Sequence, residues 1–161
     1  MTSEEKNQSN IINSELNLNY NKYLFADKPI NRFKTKPKVE DISIKLDELR
    51  NEIEKIENCE LKKNASKIVF SDGNNRSKIM IVGEGPGQKE DQEGKPFVGD
   101  AGLLLNKMLK SINIERKNVY ITNVVNYRPP NNRKPEPVEI IKYSNFLRKH
   151  ISIIDPKLLI L

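Results

Sequence analysis

Apolar residues follow one rhythm in the first regular stretch of the chain and another in the rest. Ile42, Ile44, Leu46, Leu49, Ile53 and Ile56 recur among charges at mostly three- and four-residue intervals, which predicts an amphipathic helix beginning near Val39. Cys59 follows its end. "KIVFSDG" then predicts a short strand or extended segment closed by an Asp72-Gly73 turn, and "KIMIV" a buried strand that runs into glycine. Gly99 or Asp100 starts a further helix, with Leu103, Leu104, Leu105, Met108, Leu109 and Ile112 on or near its buried face. "NVYITNVV", residues 118–125, is β-branched and apolar enough for an interior parallel strand. "YRPPNNRKPEP" carries four prolines and is loop. Pro137 and Glu139 open a helix bearing Ile140, Ile141, Phe146, Leu147 and Ile151, and "DPKLLIL" is an apolar strand.

Strands alternating with helices in this way predict an α/β domain, three-layer α/β/α with a mostly parallel central sheet. A buried parallel strand normally feeds a loop and a covering helix. The strand that reaches Leu161 therefore reads as belonging to a domain incomplete at its C-terminus. Residues 1–40 lack periodicity, are rich in Asn, Ser, Lys and Tyr, and hold the basic positions Arg32, Lys34, Lys36 and Lys38. They read as a flexible polar and basic arm, either a solvated linker or a weak phosphate-contacting tail, ahead of a domain over 41–161.

Charge and composition narrow the class only modestly. The 28 basic and 22 acidic side chains give a net charge of +6, which permits phosphate partners without demanding them. No apolar run reaches the ~20 residues of a membrane span, and the N-terminus has no secretory pattern, so a cytoplasmic location with no membrane partner is expected. The single cysteine, Cys59, can neither form an internal disulfide nor supply a thiolate cluster alone. His150, the single histidine, reads as a helical surface residue.

In open α/β sheets, ligands bind beyond the carboxyl ends of strands, so the loops after Val82 and Val125 are where chemistry is expected. Gly83, Gly85 and Gly87 allow close backbone approach and free amides, although turn glycines alone account for the pattern equally well. The loop is neither a Walker sequence nor a full dinucleotide fingerprint. Glu84 at a strand end is suited to holding or polarising a water, whereas Glu90 and Asp91 can simply complement a helix dipole. Phe97, alone in a polar loop, is either a hydrophobic plug or a platform for a planar ligand. Asn123 interrupts an apolar strand and needs partners, and a carboxamide offers the donor and acceptor together that read a base edge.

"GEGPGQKEDQEGKPFVGDAGLLL" followed by "VYITNVVNYRPPNNRKPEPVEI" resembles the family 4, iron-sulfur class of uracil-DNA glycosylases over roughly residues 45–161. That family's pattern is Gly-Glu-Ala-Pro-Gly, Glu-Asp, Gly-x-Pro-Phe-Val-Gly and Thr-Asn-Val-Val. Only Gly85, in place of the usual alanine, alters the first block. The resemblance implies DNA base-excision repair by hydrolysis of the N-glycosidic bond of uracil, with the base rotated out of the helix. It implies stacking by Phe97, edge reading by Asn123, and Gly83 and Glu84 beside the base. Glu84 would place or activate water or support the cationic sugar. Arg128, Arg133 and Lys134 suit flanking phosphates. Uracil-containing DNA is the implied partner.

Two departures accompany the resemblance. The family's four cluster cysteines fall at Ile56, Cys59, Tyr127 and Tyr143, so three ligands are absent and the 4Fe-4S cluster is expected to be lost, leaving no cofactor and no metal. Aromatic rings are expected to fill its space. The family's catalytic His-Pro-Ser loop lies beyond the strand at Leu161, and His150 does not match it. Impaired activity in this chain is therefore expected, with a non-catalytic DNA- or nucleotide-binding remnant as the alternative. A second polypeptide is a candidate source of the missing half.

Overall fold

Val39–Glu54 (α1) realises the first amphipathic stretch: Ile42, Leu46, Leu49 and Ile53 form one buried stripe, and Ile44 points off it into solvent. The computed structural model describes residues 39–161. The arm expected over residues 1–40 lies outside the described residues except for Val39 and Glu40, which are helical.

After α1 come Glu60–Asn64 (α2), Asp72–Gly73 (β1), Ile79–Gly83 (β2), Gln88–Glu93 (α3) and Asp100–Ser111 (α4). A 3-10 turn at Arg116–Asn118 then leads into Tyr120–Asn123 (β3). A second 3-10 turn at Pro130–Asn132, then Pro137–Ile154 (α5) and Leu158–Ile160 (β4), complete the described elements. The sheet order is β1-β3-β2-β4, with β2 parallel to both β3 and β4 and only the two-residue β1 antiparallel.

Alternation along β2 separates the two faces of the sheet. Met80 and Val82 pack with Ile42 and Leu46 of α1 and Ile154 of α5, while Ile79 and Ile81 pack with Leu105 and Leu109 of α4. The sheet is thus sandwiched between α1 with α5 and α4, the three-layer arrangement the periodicity predicts. The register pairs Gly83 directly with Asn123. This one pairing brings the two loops of interest together.

Four local readings need correction. Asp72 and Gly73 form no turn; they are the strand, pairing with Ile121 and Tyr120. Gly73 has a φ of 93°, and a Cβ there would collide with the Val119 carbonyl, so glycine is required for that pairing. Along α4 and at the Ile112 that caps it, Leu103, Leu104, Met108 and Ile112 are not buried but 56–62% exposed. The leucine run wraps around the helix, and a single sheet face takes only the stripe of Gly102, Leu105 and Leu109. The last strand, β4, is an exposed edge rather than a buried one, with Leu158, Leu159 and Ile160 open to solvent.

His150 is the fourth correction. It is 2% exposed, because Tyr143, Phe146, His150 and Ile154 lie on one stripe of α5 that faces inward. Its Nε2 lies 2.6 Å from the Tyr120 hydroxyl, and its ring stacks on Phe70 with centroids 4.7 Å apart. Burial lowers its pKa to about 4, so the imidazole is neutral at pH 7.

Candidate functional site

At the carboxyl ends of β2 and β3, three residues meet around a missing side chain. A Cβ on Gly83 would collide with the Asn123 Oδ1 and come within 2.6 and 2.7 Å of the Phe97 ring carbons Cε2 and Cζ. Phe97 and Asn123 thus both face the α-carbon of Gly83. Asn123 is 4% exposed, and its Nδ2 is the one fully buried side-chain polar atom among the described residues with no hydrogen-bond partner. Such a donor costs about 1–3 kcal/mol to leave unmatched, which makes it a candidate ligand contact.

Beside it opens a cleft of about 280 Å³ lined by Gly83, Glu84, Glu90, Phe97, Ala101 and Asn123 among others. Glu84 is exposed at its mouth, on a loop zipped to the one after β3 by Val124 N–H to Gly83 O (2.7 Å) and Val125 N–H to Glu84 O (3.3 Å). Gly85 and Gly87 also border it. Larger hollows of about 440 and 430 Å³ lie at the amino ends of the strands, beside Asp72 and Tyr120 and beside Lys110 and Asn113. The strand carboxyl ends, with the orphaned amide, are the stronger site.

Phe97 holds its ring there at a conformational cost. Its φ is 52°, a left-handed backbone that for an aromatic residue costs on the order of 1–3 kcal/mol. Glu90 braces the far side of that loop, accepting from the backbone N–H groups of Val98 (2.9 Å) and Gly99 (2.7 Å) as well as Gly87 (3.1 Å). Burial alone would raise the Glu90 pKa, but the backbone donors of Gly99, Glu90 itself, Val98 and Gly87 together hold it below the usual carboxylate value. Asp91 is buried and accepts from Ser66 N–H at 2.8 Å. The acid pair therefore organises loops, a role the helix-dipole reading does not contain.

The cationic loop lies against the glycine turn. A second hollow of about 150 Å³ is lined by residues from Glu84 to Gly87 and by Pro129, Asn132, Arg133, Lys134 and Pro135. Lys134 is exposed, and Arg128 donates to the Asn132 side chain at 2.7 Å. Arg133 is already engaged: it makes a bidentate pair with Glu139 at 2.7 and 2.8 Å. That guanidinium in turn holds the Glu139 carboxyl below its ordinary pKa.

Residues 70–161 match the model of the Uracil DNA glycosylase superfamily. The chain belongs to that superfamily. It is similar to the type-4 uracil-DNA glycosylase of Archaeoglobus fulgidus, 44% identical over 115 residues that cover 71% of this chain and 58% of that one. The type-4 enzyme of Thermotoga maritima is 45% identical over 108 residues, covering 67% and 56%, and that of Saccharolobus solfataricus 45% over 116 residues, covering 71% and 54%. The chain spans about half the length of these curated relatives.

Within this uracil-DNA glycosylase superfamily member, the positions at which the resemblance implies cluster ligands converge on one corner. Cys59, Tyr127 and Tyr143 share a core with Leu49, Ile53 and Leu61, and Ile56 packs against it. The Cys59 Sγ lies 3.4 Å from the Tyr143 hydroxyl. Burial raises the Tyr127 pKa to about 12 and that of Tyr143 further, so both phenols are neutral. One thiol, two neutral phenols and an aliphatic chain do not fit an iron-sulfur cluster, which is held by thiolates. Position 85 has a local explanation: a Cβ there would press on the Val125 methyl at 2.9 Å, where glycine does not.

Sequence reasoning missed two residues that shape the site. Gly102 abuts the Phe97 backbone so closely that a Cβ would collide with its carbonyl, and a glycine inside a helix was the available signal. Arg116 bonds to the same loop from 19 residues away, and nothing local in the sequence marks it.

Proposed function

We propose that this chain carries the base-recognition half of a uracil-DNA glycosylase and acts in DNA base-excision repair on uracil-containing DNA. The observation that carries the reading is the buried, unpartnered Asn123 amide beside the Phe97 ring and the bare α-carbon of Gly83. Uracil presents an N–H flanked by carbonyl oxygens. The Asn123 Nδ2 can donate to one such carbonyl while Oδ1 accepts from the N–H; cytosine, with an amino group in place of that carbonyl, mismatches the donor. Phe97 supplies the stacking face, and the glycine loop admits the flat ring. A base must leave the stack to reach such a cleft.

Hydrolysis adds water to the sugar C1′ and breaks its bond to the base nitrogen, the bonding pair leaving with the base. Glu84, exposed at the cleft mouth, takes the role of orienting that water, accepting its proton or facing the cationic sugar. Lys134 and Arg128 suit the flanking phosphates. Arg133, matched to Glu139, shapes the loop that presents them. The reading includes a cytoplasmic setting and no iron-sulfur centre, the donor set at 56, 59, 127 and 143 being unsuited to one. No described helix is long and apolar enough to cross a membrane. The exposed apolar edge of β4 supports a further component of the reading, a polypeptide segment that pairs along it and contributes to the site.

One observation favours a second reading, a DNA- or nucleotide-binding module without turnover. The chain's single histidine is bonded to Tyr120 inside the core, so no imidazole lines the cleft. Uracil release from a single-stranded oligonucleotide, measured beside filter retention of the same DNA, separates the two. Release that loses its preference for uracil in Asn123→Asp supports the glycosylase. Retention without release assigns the second reading, and neither retention nor release overturns both.

A further inference from the structure

From the fork of bonds that it makes to the Phe97 loop, we infer that Arg116 is a positioning residue for base stacking, imposing on Phe97 the backbone that turns its ring toward Gly83. The inference rests on the base-pocket reading for its function but not for its geometry. Arg116 Nη2 donates to the Pro96 carbonyl at 2.6 Å and Nη1 to the Phe97 carbonyl at 3.0 Å. Those oxygens belong to the two peptide planes that flank the Phe97 α-carbon. Fixing both planes with one rigid guanidinium fixes φ and ψ of Phe97 together.

The guanidinium is itself held. Its Nε donates to Asp72 Oδ2 at 2.8 Å, from β1 across the sheet edge, and its Nη1 also reaches Asn106 Oδ1 at 3.2 Å, from α4. Strand β1 and helix α4 thereby transmit their positions to the stacking ring. On the opposite side of the loop, Glu90 takes the amides of Val98 and Gly99, so residues 96–99 are gripped from both sides. An ammonium in place of the guanidinium keeps the charge beside Asp72 but cannot span two carbonyls in a fixed plane.

Arg116→Lys in the full chain tests this with two readouts. The first is the nuclear Overhauser effect between the Phe97 ring and the Gly83 α-protons, which needs no ligand. It should be present in the parent chain and lost in Arg116→Lys; its persistence there overturns the inference. The second is titration with free uracil. Arg116→Lys should weaken binding about tenfold when Phe97 is intact and less than about twofold in the Phe97→Ala background, because the arginine acts through the ring. Equal losses in both backgrounds would mean general damage and overturn the positioning role. Should Arg116→Lys not fold, Asn106→Ala removes one anchor of the guanidinium without touching the loop. It should weaken the Overhauser effect, and an undiminished effect overturns the inference. A parent chain that shows the Overhauser effect but binds no uracil refutes the base-pocket reading and leaves the grip on Phe97 standing.

Discussion

The mouth of the sheet and the corner beneath α2 and α5 each bring an aromatic ring and a polar group together, to opposite ends. At the mouth, Asn123 keeps an unmatched donor, Phe97 a left-handed backbone, and Gly83 a bare α-carbon, so local stability is given up around an opening. In the corner, Cys59, Tyr127 and Tyr143 are all buried, and the thiol lies within bonding distance of a phenol. An unmatched buried donor such as Asn123 Nδ2 marks a place for a partner, whereas a thiol and a phenol that meet each other carry no such mark.

The contrast can be broken by substitution. Tyr143→Ala should cost about 3–5 kcal/mol in guanidinium unfolding, as expected for an emptied aromatic core position, and a loss under about 1 kcal/mol would mean the corner is loosely filled. A pH series tests the neighbouring core. His150 is held neutral, its pKa depressed by burial from 6.5 to about 4. The unfolded chain binds that proton more readily, so stability is complete above about pH 6.5 and falls as the pH drops toward 4, by on the order of 3 kcal/mol. His150→Gln, which keeps an acceptor for Tyr120, should flatten that limb, and an unchanged slope would assign the acid sensitivity elsewhere.

Smaller effects should appear at the mouth, and in binding more than in stability. Phe97→Ala should cost about 1–3 kcal/mol of base affinity, read by titration with uracil; unaltered affinity would make the ring plain core. Two asparagines three residues apart give the finest comparison. Asn126→Ala removes a buried donor to the Val69 carbonyl (3.1 Å) and should cost about 1–2 kcal/mol of stability. Asn123→Ala removes a donor that has no protein partner, and should change stability by under about 1 kcal/mol while abolishing base binding. Equal costs for the pair would show that the Asn123 amide serves the fold.

The layered α/β architecture is legible because strand and helix periods differ and the two central strands, β2 and β3, are short and rich in β-branched residues. The meeting of residues 83, 97 and 123 was legible only through the matched motifs, since the β2–β3 register that joins two of them is a long-range pairing. The buried face of α4 is not legible because a run of leucines has no single stripe, and the inward position of His150 shows only in the stripe it shares with Tyr143 and Ile154. Arg116 carries no local signal for a simpler reason: its bonds to the Phe97 loop go to backbone carbonyls, which every residue possesses, and its side-chain partners Asp72 and Asn106 are distant in sequence.

A corner closed by carbon, oxygen and one shielded sulfur has a consequence for the reactivity of that sulfur. Cys59, Tyr127 and Tyr143 fill that corner together with Leu49, Ile53 and Leu61, so its packing is set by side chains brought from four separate parts of the chain. Oxidants in solution are kept from the buried Cys59 thiol by that same packing, so the one sulfhydryl of the chain is inert while the fold holds.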